Sequence, residues 1–281
     1  EVLDAPVFYW PYITFPIDDR RKTGFLYPQF GSSSAGSGAY LALPYYLNLA
    51  PHYDATLTPQ YIHGRGLFTE VEGRYLSQYG ESVLQLGYID NDSAFRDENP
   101  GENGERWALD FTTRAAFGGG WSGYGDYSVI SDEDYLSDLN RSLEIDQATH
   151  LQRRGGVRYY GANQYFETYL SGYQTIPDRI ADVDKPYAQL PEVIYGGSLE
   201  AGWLEASLES QYTWFYRDNE NLTGLDKANG QRLRAIPELA LPMRALWGFS
   251  RPSVSLDYTR YELDDYTLGD AGFDRTVPVF E

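Results

Sequence analysis

Residues Arg106–Phe117 read RWALDFTTRAAF, and their two parities are chemically opposite. Trp107, Leu109, Phe111, Ala115 and Phe117 share one parity, interrupted by Thr113. Arg106, Asp110, Thr112 and Arg114 share the other, with Ala108 and Ala116. Side chains alternate across a strand, so the stretch is a ribbon with one greasy and one charged face. Soluble strands usually run about 5–6 residues. A tilted strand crossing a bilayer needs about 9–11, which this stretch supplies.

The pattern recurs along the chain. In Leu67–Tyr79, Leu67, Thr69, Val71, Gly73 and Tyr75 oppose Glu70, Glu72 and Arg74. In Ser82–Ile89, Leu84, Leu86 and Tyr88 oppose Gln85 and Gly87, with Val83 breaking the polar side. Tyr53–His63 sets Ala55, Leu57, Pro59 and Tyr61 against Asp54, Thr56, Thr58 and Gln60. Leu204–Tyr216 sets Leu204, Ala206, Leu208, Tyr212, Trp214 and Tyr216 against Glu205, Ser207, Glu209, Gln211 and Thr213. Val254, Leu256 and Tyr258 oppose Ser255, Asp257 and Thr259. Polar faces this long and charged suit a water-filled lumen. Ala50-Pro51-His52, Gly64-Arg65-Gly66, Gly80-Glu81 and Gly118-Gly119-Gly120 punctuate the ribbons as hairpin turns. Longer polar loops are expected at Asn91–Glu105, Ser131–Ala148, Pro177–Pro191 and Arg217–Gln231, with at most one helical turn in Ser131–Asn140.

Composition narrows the class. The 281 residues contain no cysteine, which excludes thiol catalysis and disulfides within this chain. Apolar residues make up 42%, and no run approaches the ~18 apolar residues of a membrane helix. The 26 Tyr and 6 Trp, many near strand ends, resemble interfacial aromatic girdles. High β propensity of aromatics is the plainer explanation of the same count. A net charge of −19 argues against nucleic acid, whose phosphates need a basic surface. The fold class expected is all-β: a partial transmembrane antiparallel β-barrel.

Few residues nominate chemistry. Asp90-Asn91-Asp92 opens like a calcium loop, but the positions for glycine and glutamate hold Phe95 and Gly101. His52, His63 and His150 are scattered without ligand spacing. Glu70/Glu72 and Glu205/Glu209 are same-face carboxylates of the kind charged lumen walls supply. No triad emerges, so the chain reads as a non-enzyme, with no cofactor and no metal site. Arg20-Arg21-Lys22 reads as a solvated turn, or else as a contact for a phosphorylated ligand or anionic head group. Pro44 interrupts Ala39–Leu49, and Pro59 sits inside the next ribbon. Proline cannot donate to a ladder, so two in adjacent strands imply a seam or a bend.

Several long motifs then point to one family. Pro6–Pro28, PVFYWPYITFPIDDRRKTGFLYP, precedes Leu43-Pro44-Tyr45-Tyr46, and Ala55–Tyr61, ATLTPQY, follows. With Arg74-Tyr75-Leu76-Ser77 and Arg106-Trp107, these resemble the LptD family of LPS-assembly proteins. The resemblance is densest over residues 5–110. It implies that residues 1–30 are the end of a periplasmic β-jellyroll and 31–38 a flexible junction. Residues 39–281 would then be the N-terminal portion of an outer-membrane barrel of roughly a dozen strands here, at the strand length given above. The chain would thus be a fragment of a longer protein.

The resemblance also implies a role: insertion of lipopolysaccharide into the outer leaflet through a hydrated lumen and a lateral gate between first and last strands. Phe8, Trp10, Tyr12 and Phe15 would wall the lipid groove. Pro44, Pro59 and Tyr40 would sit at the gate. Glu70, Glu72, Arg74, Asp110, Arg114, Glu205 and Glu209 would line the lumen. The implied partners are lipopolysaccharide, outer-membrane lipids, an LptE-type plug lipoprotein and a periplasmic LptA-type jellyroll bridge protein. Two rivals fit the alternation alone: an outer-membrane porin or ligand-gated transporter, and a soluble glycan-binding β-sandwich.

Overall fold

In a computed structural model of the chain, residues 21–33, 38–139, 149–177, 180–218, 220–264 and 271–280 are described. The N-terminal strands are β1 (Gly24–Phe25), β2 (Gln29–Ser33), β3 (Gly38–Ala42) and β4 (Tyr45–Ala50). Long ribbons follow: β5 (Tyr53–Ile62), β6 (Gly66–Leu76), β7 (Gly80–Ile89), β8 (Arg106–Gly118) and β9 (Trp121–Ile130). They continue as β10 (His150–Tyr160), β11 (Gln164–Thr175), β12 (Ala188–Ala201), β13 (Leu204–Tyr216) and β14 (Asn229–Ala240). The short β15 (Met243–Ala245) and β16 (Gly248–Ser250) precede β17 (Ser253–Asp264) and β18 (Gly272–Phe280).

From β4 onward each ribbon pairs antiparallel with its neighbour in sequence, giving a 16-stranded sheet that is not closed. Only β15 and β16 stand apart, as a separate two-stranded sheet. The expected all-β partial barrel is therefore what the chain forms.

Register turns alternation into two continuous faces. Leu84 pairs with Phe111, Phe111 with Tyr127, and Leu109 with both Leu86 and Val129. These apolar rows leave large side chains exposed along the sheet, Leu57, Tyr61, Tyr88, Trp107, Trp214 and Leu256 among them. Bilayer contact is the ordinary reason for such a band.

The connections divide by end. Turns of two or three residues join β4 to β5, β6 to β7, β8 to β9, β10 to β11 and β12 to β13. In the β8–β9 turn, Gly118, Gly119 and Gly120 all take positive φ (83°, 60° and 86°), which side-chain-bearing residues adopt at a cost. Apart from the short β5–β6 link, and from the hairpin Leu241–Pro252 that stands at the short-turn end, the long connections lie at the opposite end. Two contain α-helical turns, α1 (Ser93–Glu98) and the single turn α2 (Tyr135–Asp138), and two carry 3-10 turns, Asp182–Asp184 and Gly224–Lys227. The loop expected over Asn91–Glu105 thus contains α1. Those expected at Pro177–Pro191 and Arg217–Gln231 are shorter than anticipated, because Ala188–Pro191 and Asn229–Gln231 already belong to β12 and β14.

The core lies at this long-connection end. Ile62, Phe68, Ile89, Ala108, Ile130, Leu151 and Ile176 from strand ends and connections enclose Tyr135, Leu136 and Leu139. The region expected as a flexible junction begins inside a ladder: Gly31, Ser32 and Ser33 pair with Tyr40, Ala39 and Gly38.

Candidate functional site

The first wall strand is broken in two. β3 ends at Ala42 and β4 begins at Tyr45, yet both keep one register against β5: Ala42 opposite Gln60, Tyr45 opposite Leu57. Leu43 and Pro44 fill the gap. The Leu43 N–H donates to the Pro59 carbonyl at 3.0 Å. Pro59 has no N–H to return that bond. Consecutive residues of a strand bond to opposite sides, so the Pro44 nitrogen faces the outer edge. There the Pro44 carbonyl accepts the Leu26 N–H at 2.9 Å. One donor is therefore missing on each side of the Leu43-Pro44 step. The two prolines act on different ladders: Pro44 on the sheet edge, Pro59 between the first strand and the second.

The outer edge is covered by the preceding segment. Gly24 and Phe25 pair with Tyr46 and Tyr45, and β2 pairs with β3. Arg21, from the basic cluster, donates to Asp54 at 2.9 Å. Asp54 is buried and also accepts Arg74 at 2.8 and 3.1 Å and the Tyr46 hydroxyl at 2.9 Å. Arg21 is thus an ion-pair tether that stays 53% exposed to solvent. Tyr40 is half-buried and packs against the apolar core rather than standing clear at the edge.

All seven polar residues picked out from the alternation share one face of the sheet. Glu72, Gln85, Asp110 and Ser128 are successive register partners. A second row runs through Glu81, Arg114, Tyr124, Gly156, Tyr169, Glu192, Thr213, Arg232 and Tyr261. Arg114 pairs with Asp126 at 2.6 Å, and Asp110 accepts the Ser128 hydroxyl at 2.5 Å. Arg74 lies 3.6 Å from Glu72. Glu205 pairs with Arg251 at 2.9 Å. Glu209 faces Gly196 and Ile236, in a surface recess with Tyr165, Gln211 and Arg234. Glu70 lies toward the capped end of the same face. Phe8, Trp10, Tyr12 and Phe15 lie outside the described residues.

The cap over this face is an ionic cluster that sequence reading did not assemble. Arg106 is fully buried. It forks onto Asp132 at 2.6 and 3.0 Å and reaches Asp92 and Asp138, each at 2.9 Å. Arg65 joins from the β5–β6 turn, at 2.7 Å to Asp92 and 3.1 Å to Asp138. The Phe95 ring lies 4.3 Å beneath the Arg106 guanidinium. Asp92 also caps α1, accepting the Phe95 N–H at 3.1 Å. Its oxygens are thus committed to two arginines and a helix start, which accounts for the calcium-like opening of this loop. Burial, with Glu70 nearby, pushes the Tyr135 phenol up. The signal for Arg106 was in the polar parity of its strand; its partners sit on separate connections, and nothing in their spacing brings them together.

Two sequence models of one family match the chain. "LPS transport system D" covers residues 104–281 and "LptD protein" covers residues 1–113. LPS-assembly protein LptD of Hahella chejuensis is 48% identical over 99% of the chain. The protein of the same name from Alcanivorax borkumensis is 38% identical over 94%, and that from Pseudomonas aeruginosa (strain UCBPP-PA14) 34% over 99%. The aligned regions make up 35%, 34% and 33% of those relatives, so the chain spans about a third of their length.

Proposed function

Because this chain belongs to the LptD family, we propose that it forms the first part of an outer-membrane barrel that delivers lipopolysaccharide to the outer leaflet. The polar face lines a hydrated lumen through which the sugar passes. The first strand forms one side of a lateral gate, and the closing strand lies in the remainder of the protein. Residues 1–30 end a periplasmic jellyroll whose groove, with Phe8, Trp10, Tyr12 and Phe15, carries the acyl chains. An LptE-type plug and an LptA-type bridge are the protein partners. The role is transport rather than catalysis.

The observation that carries this reading is the Leu43-Pro44 break with a donor missing on both sides. A ladder bond contributes roughly 0.5–1.5 kcal/mol net. In hydrocarbon each unpaired backbone group costs several kcal/mol. Parting a seam is therefore easiest where the bonds were never made, and Pro44 supplies that on the edge. The described N-terminal segment runs back along β3 and β4 and brings Arg21 beside Asn48 and Asp54 at the short-turn end, so a periplasmic N-terminus would turn that end toward the periplasm. That would give the short periplasmic turns and longer external connections usual in outer-membrane barrels.

Pro44→Ala in the full-length protein tests the reading. It restores an edge donor and should slow the appearance of lipopolysaccharide at the cell surface. An unchanged delivery rate from a normally assembled barrel would sink the gate, and conductance of small solutes by that barrel would favour the porin reading.

A further inference from the structure

We propose that the hairpin Leu241–Pro252 is a membrane anchor whose Leu246-Trp247 tip lies in the lipid interface beside the barrel wall. It goes beyond the transport reading and depends only on the barrel's seat in a bilayer.

The hairpin is built apart from the wall. The β14–β17 ladder continues through Leu241, whose N–H donates to the Pro252 carbonyl at 2.9 Å, into the Met243–Ser250 pairing. Pro242 and Pro252 interrupt the two arms at its base, and among the described residues the hairpin bonds to no third strand. Arg251 fixes the base to the polar face, bridging Glu205 and Glu238 at 2.9 and 2.8 Å. Beyond it the tip projects five residues past Ala240, roughly 16 Å of extended chain.

Its composition contradicts an aqueous setting. Two-residue hairpin turns favour Asn, Asp or Gly. This one is Leu246-Trp247, with Trp247 92% exposed and Phe249 85% exposed. A lone two-stranded hairpin is marginal in water, and among the described residues nothing covers these side chains. The other short turns at this end each hold glycine, asparagine, serine or histidine, with Tyr79 and Trp203 as exposed aromatics among them.

Lipid is the occupant that the surroundings favour. Leu239, Leu241 and Met243 continue the apolar parity of β14 past the end of the wall, and all are exposed. Leu199 and Trp203 extend the same patch sideways. Trp is suited to the membrane–water interface, with an apolar ring and a polar N–H.

The test uses spin-labelled full-length protein in vesicles of phosphatidylethanolamine and phosphatidylglycerol. Single labels replace Leu246, Asn163 in a polar turn at the same end, and Leu109 on the apolar face. The Leu246 label should be relaxed by dissolved oxygen more than by a water-soluble nickel chelate, as at Leu109, with the reverse at Asn163. A water-like response at Leu246 overturns the anchor, provided Leu109 still reports lipid. Shielding of Leu246 from both relaxants would also overturn it, showing a protein partner instead. A water-like response at Leu109 would instead overturn the membrane reading itself.

Discussion

Leu43 donates to Pro59 across the first two wall strands, and Pro59 cannot return the bond. Pro59→Ala adds the missing donor, a gain of roughly 0.5–1.5 kcal/mol. It also frees the unfolded chain, a loss of about 0.4–1 kcal/mol. The two nearly cancel, so the melting temperature should barely move. Local opening should become rarer, with amide exchange at Leu43 slowing by up to about tenfold. Hydrogen exchange resolves the two effects, and unchanged exchange at Leu43 would refute the account.

Arg106→Leu strips the shared cation from Asp92, Asp132 and Asp138. Breaking a buried pair by removing one partner costs about 3–5 kcal/mol. The variant should lose that much stability in urea unfolding of the refolded barrel. Arg106→Lys should recover only part of it, because an ammonium cannot fork onto Asp132 while reaching the other two carboxylates. A leucine variant of unchanged stability would show that the cluster is ornamental.

Gln174 replaces a missing stretch of ladder. Its Oε1 accepts the Ile130 N–H at 3.1 Å and its Nε2 donates to the Ile130 carbonyl at 2.8 Å. The β9–β10 register stops at Tyr127 opposite Arg153, so one side chain completes the join. Gln174→Leu leaves both Ile130 groups unpaired at a cost of about 1–3 kcal/mol. Faster exchange of the Ile130 amide is the readout.

Asp134 precedes α2 and makes no side-chain cap bond. Burial, then Asp138, Glu133 and Asp132, push its carboxyl above the usual 3.8. The fold therefore favours the protonated form. Its charge lowers stability once the pH exceeds the unfolded value, and the effect vanishes below it. Asp134→Asn should protect the Tyr135–Leu139 amides at neutral pH, by no more than about 0.5 kcal/mol. That advantage should fade as the pH falls below the unfolded value. Protection that does not change with pH would contradict the charge argument.

The wall was legible because each strand writes its own two faces. Glu72, Asp110 and Arg114 could be placed from local parity alone, and β8 spans nearly the stretch from which it was read. The cap was not legible, since Arg65, Asp92, Arg106, Asp132 and Asp138 meet only once two connections fold over the strand ends. α1 escaped notice because its six residues bury only Phe95, too little for a periodic stripe. The edge prolines were visible, but which ladder each one weakens depends on the direction of its nitrogen, and only register supplies that.

The neighbour-to-neighbour order of the sheet has a kinetic consequence. Each wall pairing joins strands close in sequence, so the chain can zip up hairpin by hairpin with little loop entropy to overcome. Closing a barrel on this scale would be different, because it must bring together strands separated by the rest of the protein. That closing pair would then be the last contact to form during assembly, and an assembly factor that holds it would be guarding the one slow step.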